Sequence, residues 1–445
     1  MVSIVYLTFD FTLQCYVLNR RDSVMGEHIA YNTNTSMATY LIGSTAIRYE
    51  YLDQILPPIV DKIQENEKII FHVDLEGVIY GLYRKSSISA LLAMEFDYLV
   101  KDITVGVINV LAHYRKYFAT RLGMDNEILV YWNYELPGYQ EAYCTEYRNK
   151  TYSKYDPQNP VYGVIYQATR KAAKMIANLL QFVEGIYWID NGKYDTYSAI
   201  AYTMTTKRYS KYYHLIFSRT MILGQLVGKR VAQLVHKRQL EPTEHGGKTY
   251  TSGASYLITK KNVYEKVFYN SKEKAPDVDL PLNYIPIIWT LSKYSDMGIP
   301  RLIYTKLPDC IRHLEELYHA GVISEDSTIP NIIDELAKAR PKYVSENSAD
   351  RIKRQAGDRY KILNLKLAAK GIVQPQVMSM YRGVIDLYDQ NALEKLNEQL
   401  TAEDPRADII NLSALNMSYG KKGYRAKQHD ADEVEEITRY RIEDL

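Results

Sequence analysis

Cysteine is scarce: Cys15, Cys144 and Cys310 are the three in the chain, too far apart for a metal-ligand spacing or a disulfide framework. A reducing compartment is the simple expectation. No apolar run nears the ~20 residues that a membrane helix needs, which points to a soluble protein with no membrane partner. The opening MVSIVYLTFDF lacks a basic leader and meets Asp10 early, so it makes a poor signal peptide. Charge of one sign is not in surplus either. With 55 basic and 53 acidic residues, no global field announces a nucleic-acid binder, and any such surface must be local. There is no glycine-rich phosphate loop, no Gly-Xaa-Ser-Xaa-Gly elbow and no internal repeat. His72, His113, His214 and His313 stand in no ligand spacing, and core or surface roles suit them better than ligation.

What remains is a globular composition, 46% hydrophobic and 24% charged, in 445 residues, enough for two or three domains. Tyrosine is abundant, 42 residues against 8 phenylalanines and 3 tryptophans. Tyrosine suits interfaces and stacking on bases. An AT-rich genome, which also enriches Lys, Ile and Asn, accounts for it equally well.

The stretch KIIFHVDLEGVIYGLYRK, residues 68–85, organises the reading. Ile69, Ile70, Phe71 and Val73 suit a buried parallel strand that runs into Asp74. Val78, Ile79, Leu82 and Tyr83 then recur at helical spacing. Asp74 therefore falls at a strand's carboxyl end, where open α/β sheets place ligands. A helix-capping role explains the same position, and the residues leave both open.

Strand–helix alternation continues over 67–235. The strands are Glu127 to Asn133, Gly185 to Ile189 and Tyr213 to Phe217. The helices are Ser87 to Leu122, Val161 to Phe182 and Ala199 to Met204, with a helix-like piece from Ser218 into Val227. That argues for a mostly parallel sheet with helices on both faces. Upstream, strands are expected over Ser3 to Phe11 and Leu13 to Leu18, then a helix over Tyr49 to Gln64 that Pro57-Pro58 breaks. Residues 236–251 read as a loop or hairpin and Tyr256 to Val267 as strand then helix. From Ile285 the pattern is helical: Ile285–Ser292, Pro308–Ala320, Asn331–Lys338, Ile352–Lys370 and Met378–Leu400.

In order, these pieces resemble the 5′-nuclease family of flap endonucleases and phage-type 5′-3′ exonucleases, whose core is PIN-like. HVDLEGVIYGLYRK is similar to the family's opening Val-Asp-Gly and Tyr-Arg, with Asp74 as metal ligand and Arg84 at the helix end. LVYWNYELPGYQEAYCTEYRNKTY keeps Tyr147, Arg148, Asn149 and Lys150, but Trp132 or Asn133 replaces the strand-end aspartate. In GIYWIDNGKYDTYSAIAYT one carboxylate of a Glu-Ala-Asp-Asp motif survives, Asp195. In SRTMILGQLV, Ser218, Leu223, Gln225, Leu226 and Val227 match, while Thr220 and Ile222 stand for two aspartates. IPIIWTLSKYSDMGIPRLIYTK looks like the helical DNA-binding turn, with Asp296 displaced by one residue. The resemblance spans about 67–325.

The resemblance implies a fold and a domain plan. The fold is α/β, a PIN-like three-layer α/β/α core with a mostly parallel sheet, followed by a helical C-terminal region. An N-terminal extension covers 1–66, the core 67–284, a helical region with the remnant DNA-binding turn 285–404, and a loose tail 405–445. Two divalent ions in such enzymes need a cluster of hard oxygen ligands. Asp74, Asp195 and Asp296 are the catalytic remnants, and Thr220 and Ile222 supply no charge. The expected protein is thus a degenerate, tyrosine-rich pseudo-nuclease of phage type, needing no cofactor and acting as a nucleic-acid-binding or assembly subunit. The candidate contacts are Arg84, Arg148, Lys150, Arg170, Lys171, Lys174, Arg301, Lys306 and Arg312, pairing with phosphates of DNA or another nucleic acid. Solvated helix faces explain the Arg170–Lys174 group as well. An active 5′-nuclease with Mg2+ or Mn2+ on Asp74 and Asp195, and a structural subunit of a virion or polymerase complex, are the alternatives. The expected location is cytoplasmic, in a host if the origin is a phage, or in the virion.

Overall fold

The computed structural model describes residues 46–371 and 379–381, except 67, 78, 80–95, 133–161, 181–182, 184, 192–193, 238, 243–247, 252, 270–276, 293–298, 304 and 345. The strands expected upstream of residue 46, and the tail, lie outside these residues.

Seven strands form one sheet: β1 (Lys68–Asp74), β2 (Asp125–Trp132), β3 (Ile186–Asp190), β4 (Tyr213–Phe217), β5 (Val231–Val235), β8 (Tyr256–Ile258) and β9 (Ser379–Tyr381). A separate hairpin holds β6 (Gln239–Pro242) and β7 (Lys248–Thr251), where a loop or hairpin was expected. The sheet order is β8-β5-β4-β1-β2-β3-β9. The five inner strands are parallel, and β8 and β9 close the edges antiparallel. The fold is therefore the expected α/β class with a mostly parallel sheet.

Side chains alternate across the sheet with the period of two that extended backbone imposes. Ile69, Phe71, Val73, Ile128, Val130, Trp132, Tyr213, Leu215 and Phe217 pack into one apolar cluster. Ile70, Leu129, Tyr131, Tyr187, Ile189 and Ile216 enter a second, on the opposite face. Being covered on both faces is why these strands read as unbroken apolar runs. The first face is covered by α1 (Tyr49–Ile55), α2 (Pro57–Gln64), α3 (Phe96–Thr120) and α4 (Tyr162–Leu180). The second is covered by α5 (Thr196–Thr205), α6 (Val263–Phe268), α7 (Tyr284–Leu291), α8 (Leu307–His319), α9 (Ile329–Ala339), α10 (Glu346–Leu363) and α11 (Leu365–Gly371). Three layers result.

Local chemistry sets several boundaries. Pro57 opens α2 at the position where a missing N–H costs nothing, so the expected break falls at Leu56. Thr328 caps α9, its hydroxyl accepting from the Asn331 amide at 3.4 Å.

Four expectations change. β5 was not foreseen as a strand; its Gln233 interrupts the apolar run. The piece after Ser218 is a 3-10 turn, Met221–Leu226, and not a longer helix. Residues 352–370 form two helices broken at Asn364, where Gln225 bonds to both the Leu363 carbonyl and the Leu365 amide. Residues 379–381, expected in a helix, pair with β3.

Candidate functional site

The chain passes from β1 to β2 and β3 on one side and returns to β4 and β5 on the other. The direction of strand order therefore reverses between β1 and β4. In open α/β sheets the carboxyl ends flanking such a reversal form the ligand crevice. Asp74 ends β1, and Ser218 follows β4, whose Phe217 lies beside Val73 in register.

Both side chains are fully buried, and they meet. The Ser218 hydroxyl donates to Asp74 Oδ2 at 2.6 Å, and the Gly77 amide donates to Oδ1 at 2.9 Å. The hydroxyl contact has the short length of a charge-assisted bond. The Thr220 amide donates to Ser218 Oγ at 3.1 Å. Gln233 Nε2 donates to the carbonyls of Ser218 and Thr220 at 3.1 and 2.9 Å, holding the turn down. Glycine is required at 77 by close approach: a Cβ there would lie 2.2 Å from Asp74 Oδ2. Sequence and packing thus commit both oxygens of Asp74 to the protein itself.

Asp195 is the N-cap of α5. Its Oδ1 accepts from the amides of Tyr197 and Ser198 at 2.8 and 2.9 Å, and its Oδ2 from the Ser198 hydroxyl at 2.6 Å. Burial pushes its pKa up, against the pull of the Ser198 and Tyr197 donors. Thr220 Oγ1 donates to the Tyr197 hydroxyl at 3.2 Å, joining this helix start to the turn after β4.

Two positions that the sequence resemblance sets against family carboxylates hold apolar side chains. Trp132 is fully buried on the first face, its ring 6.2 Å from that of Tyr166. Ile222 is fully buried in the cluster on the second face. Among the described residues no group of three or more His, Cys, Asp or Glu side chains is arranged to hold a metal ion. A two-metal site needs several unengaged oxygen ligands around each dication. Among the described residues Asp74, accepting from one amide and one hydroxyl, and Asp195, accepting from two amides and a hydroxyl, do not fit that need. Asp296, Arg84, Arg148 and Lys150 lie outside the described residues.

One strand-end acid escaped the sequence reading. β3 ends on Asp190, opposite Trp132 in register. The rule that singled out Asp74 finds Asp190 once the strand is extended one residue past Ile189.

The basic candidates form separate groups. Arg170, Lys171 and Lys174 are exposed on α4, and Lys171 Nζ lies 5.6 Å from the Phe96 ring centroid. Arg301 and Lys306 are exposed in and after the turn that precedes α8. Arg312 is already paired, donating to Asp309 Oδ1 at 2.8 Å, with Glu316 at 3.9 Å. Buried Arg359 donates to the Pro300 carbonyl at 2.7 Å and anchors the turn that carries Arg301.

A second polar element crosses the same face of the sheet. Buried His72 sits between the Tyr131 hydroxyl, 2.8 Å from Nδ1, and His214 Nδ1, 2.9 Å from Nε2. Burial lowers the pKa of both imidazoles, His214 to about 4. The pair and Tyr131 form a short buried chain of polar contacts across the sheet, with His214 Nε2 left without a hydrogen-bond partner among the described residues.

The fold and this edge define an α/β protein whose sheet reverses at Asp74 and Ser218. No sequence family profile matches the chain, and no curated protein sequence matches it. Among solved structures it is similar to the zinc-bound 5′-exonuclease of bacteriophage T5: TM-score 0.45, 10% identity, covering 73% of this chain and 98% of that one. It is also similar to the flap endonuclease of the same phage in a pseudo-enzyme–product complex with DNA and metal ions: TM-score 0.44, 11% identity, covering 73% and 98%. The chemistry of the site rests on this chain's own residues.

Proposed function

We propose that this protein is a nuclease-fold scaffold without two-metal chemistry, serving as a nucleic-acid-binding subunit. One observation carries the reading: Asp74, at the carboxyl end of β1 beside the reversal of strand order, is buried with both oxygens held by the Gly77 amide and the Ser218 hydroxyl. A carboxylate that must grip a dication faces open ligand positions; this one closes a turn. Asp195 does the same for a helix start. Ile222 and Trp132 add apolar volume instead of charge. The exposed Arg170, Lys171 and Lys174 offer phosphate contacts of the kind the sequence suggested. In this reading residues 67–284 form the core, and the helices from Tyr284 to Gly371 support it.

The test is incubation of the full chain with flap and nicked DNA in Mg2+ and in Mn2+, beside Asp74→Ala. Equal, background turnover in both proteins is the expected result. Metal-dependent cleavage that disappears in Asp74→Ala overturns the proposal.

A second reading, an active nuclease with a rearranged site, is favoured by one observation: Asp190 ends β3 on the same sheet edge. In that case Asp190→Ala abolishes the metal-dependent cleavage as well.

A further inference from the structure

The amino ends of the strands carry a charge pattern that the Asp74 end does not explain. From Thr196 to Leu240 the sequence holds no Asp or Glu and eight Lys or Arg. The fold gathers half of these at the amino ends of β4 and β5. Lys207 and Lys211 lie in the loop 206–212 that enters β4, and Lys229 and Arg230 in the turn 228–230 that enters β5. All four are exposed.

The two loops are built, not loose. In the first, the amides of Tyr209 and Ser210 donate to the Thr206 carbonyl at 3.1 and 2.9 Å. In the second, the Gly228 amide donates to the Val231 carbonyl at 3.0 Å. Arg230 Nη1 donates across to the Lys211 carbonyl at 3.3 Å, and the His214 amide to the Arg230 carbonyl at 2.8 Å. Adjacent strands stand only ~4.8 Å apart, so the cations of the two loops form one patch.

The carboxylates on this edge are already engaged. Glu127 Oε1 takes Lys68 at 2.8 Å and Glu127 Oε2 takes Arg208 at 3.3 Å, while Asp125 takes Lys68 at 3.3 Å. Burial opposes ionisation of Glu127, yet the Lys68 and Arg208 charges outweigh it and hold its pKa below the usual range. The inner cations therefore neutralise the acids, and the outer four have no ion pair among the described residues. Tyr212 sits within the patch, with Lys211 Nζ 4.9 Å and Lys68 Nζ 5.6 Å from its ring centroid.

We propose that this amino-end edge, Lys207, Lys211, Lys229 and Arg230 around Tyr212, is a second nucleic-acid surface that holds the phosphate backbone of a single strand. Uncompensated cations beside an aromatic ring are the elements of sequence-independent strand binding. A membrane or an acidic protein fits less well. Both need apolar anchors, and the exposed large hydrophobics among the described residues, Phe96, Val322 and Leu367, are all outside these loops. The inference goes beyond the function proposed above, because it concerns the strand ends opposite Asp74 and stands whether or not Asp74 supports cleavage.

The test measures anisotropy of a fluorescein-labelled oligodeoxythymidylate with the full chain across about 50–200 mM salt. The triple variant Lys207→Gln/Lys211→Gln/Lys229→Gln should flatten the log–log salt slope by about 2, roughly 0.7 for each phosphate no longer neutralised. It should bind at least about tenfold more weakly at the low-salt end. Each single variant should flatten the slope by about 0.7, which protects the result against misfolding of the triple. Arg170→Gln/Lys171→Gln/Lys174→Gln is the comparison. If only that variant loses binding, the amino-end surface is overturned while nucleic-acid binding by the scaffold stands. Unchanged affinity and slope in the Lys207 set overturns the inference, and so does a wild-type chain that ignores the oligonucleotide but binds phosphatidylserine vesicles.

Discussion

The two edges of one sheet handle charge in opposite ways. At the carboxyl edge, single acids are buried and each is met by nearby amides and hydroxyls: Asp74 by Gly77 and Ser218, Asp195 by Tyr197 and Ser198. At the amino edge, Glu127 is met by full cations, Lys68 and Arg208, and further cations stand outside them in solvent. Dipoles satisfy both carboxylates without a counter-charge, Asp195 within its own helix start and Asp74 partly across 144 residues through Ser218. An ion pair ties together strands and loops far apart in sequence, and it leaves the outer surface free to carry net charge. Asp74 and Asp195 at the carboxyl ends are thus engaged within the protein, and the amino ends are the ones that present cations with no ion pair among the described residues.

The largest effect should come from breaking the amino edge. Glu127→Ala strands Lys68 and Arg208 beside buried Tyr187 and Tyr209. Removing one member of a buried ion set costs about 3–5 kcal/mol, and the partly exposed partners place this one near about 3. Urea unfolding at neutral pH measures it. A loss under about 1 kcal/mol, as for surface pairs, would erase the contrast between the edges.

Acid should reveal the polar seam next. His72 and His214 have folded pKa values below 6.5 because burial disfavours the charged ring, His214 at about 4. Below pH 6.5 the unfolded chain takes up protons that the folded chain refuses, so stability falls as pH drops from 6.5 toward about 4. His214→Gln should flatten that part of the stability–pH curve. A curve equally steep in the variant assigns the acid sensitivity elsewhere.

Gly77→Ala tests the carboxyl edge directly. The added methyl has to displace the Asp74 carboxylate, with Oδ2 only 2.2 Å from the new Cβ, and the Ser218 bond goes with it. A buried acceptor stripped of its donor costs about 1–3 kcal/mol. If Asp74 instead swings freely, the substitution is nearly silent in thermal melts.

Much of this architecture was legible in the sequence because parallel strands buried on both faces must be apolar throughout. That pattern marked β1, β2, β3 and β4 to within two residues at each end. β5 escaped because Gln233 and a short length blur the same pattern, and β9 because three residues pairing at an edge carry no periodicity. Asp74 and Asp195 were visible as isolated acids at element boundaries. Their partners were not: Ser218 lies 144 residues from Asp74, and only the β1–β4 pairing brings them together. The amino-end patch was hidden for a related reason, since Lys211 and Arg230 become neighbours only through adjacent parallel strands.

The smallest expected effect discriminates most sharply between a cap and a ligand. Asparagine and aspartate are nearly equal at a helix N-cap, whereas alanine there costs typically about 1 kcal/mol and up to about 2. In Asp195→Asn the remaining oxygen still accepts from the Tyr197 and Ser198 amides, and the new amide donates to the Ser198 hydroxyl, which turns to accept. Burial disfavours the charge on Asp195 and pushes its pKa up, against the Ser198 and Tyr197 donors, so the neutral amide suits the same site. Asp195→Asn should therefore melt within about 0.5 kcal/mol of the parent, and Asp195→Ala well below it. Should asparagine prove as damaging as alanine, the negative charge itself is in use, and a cation held at the start of this helix becomes the better account of the edge.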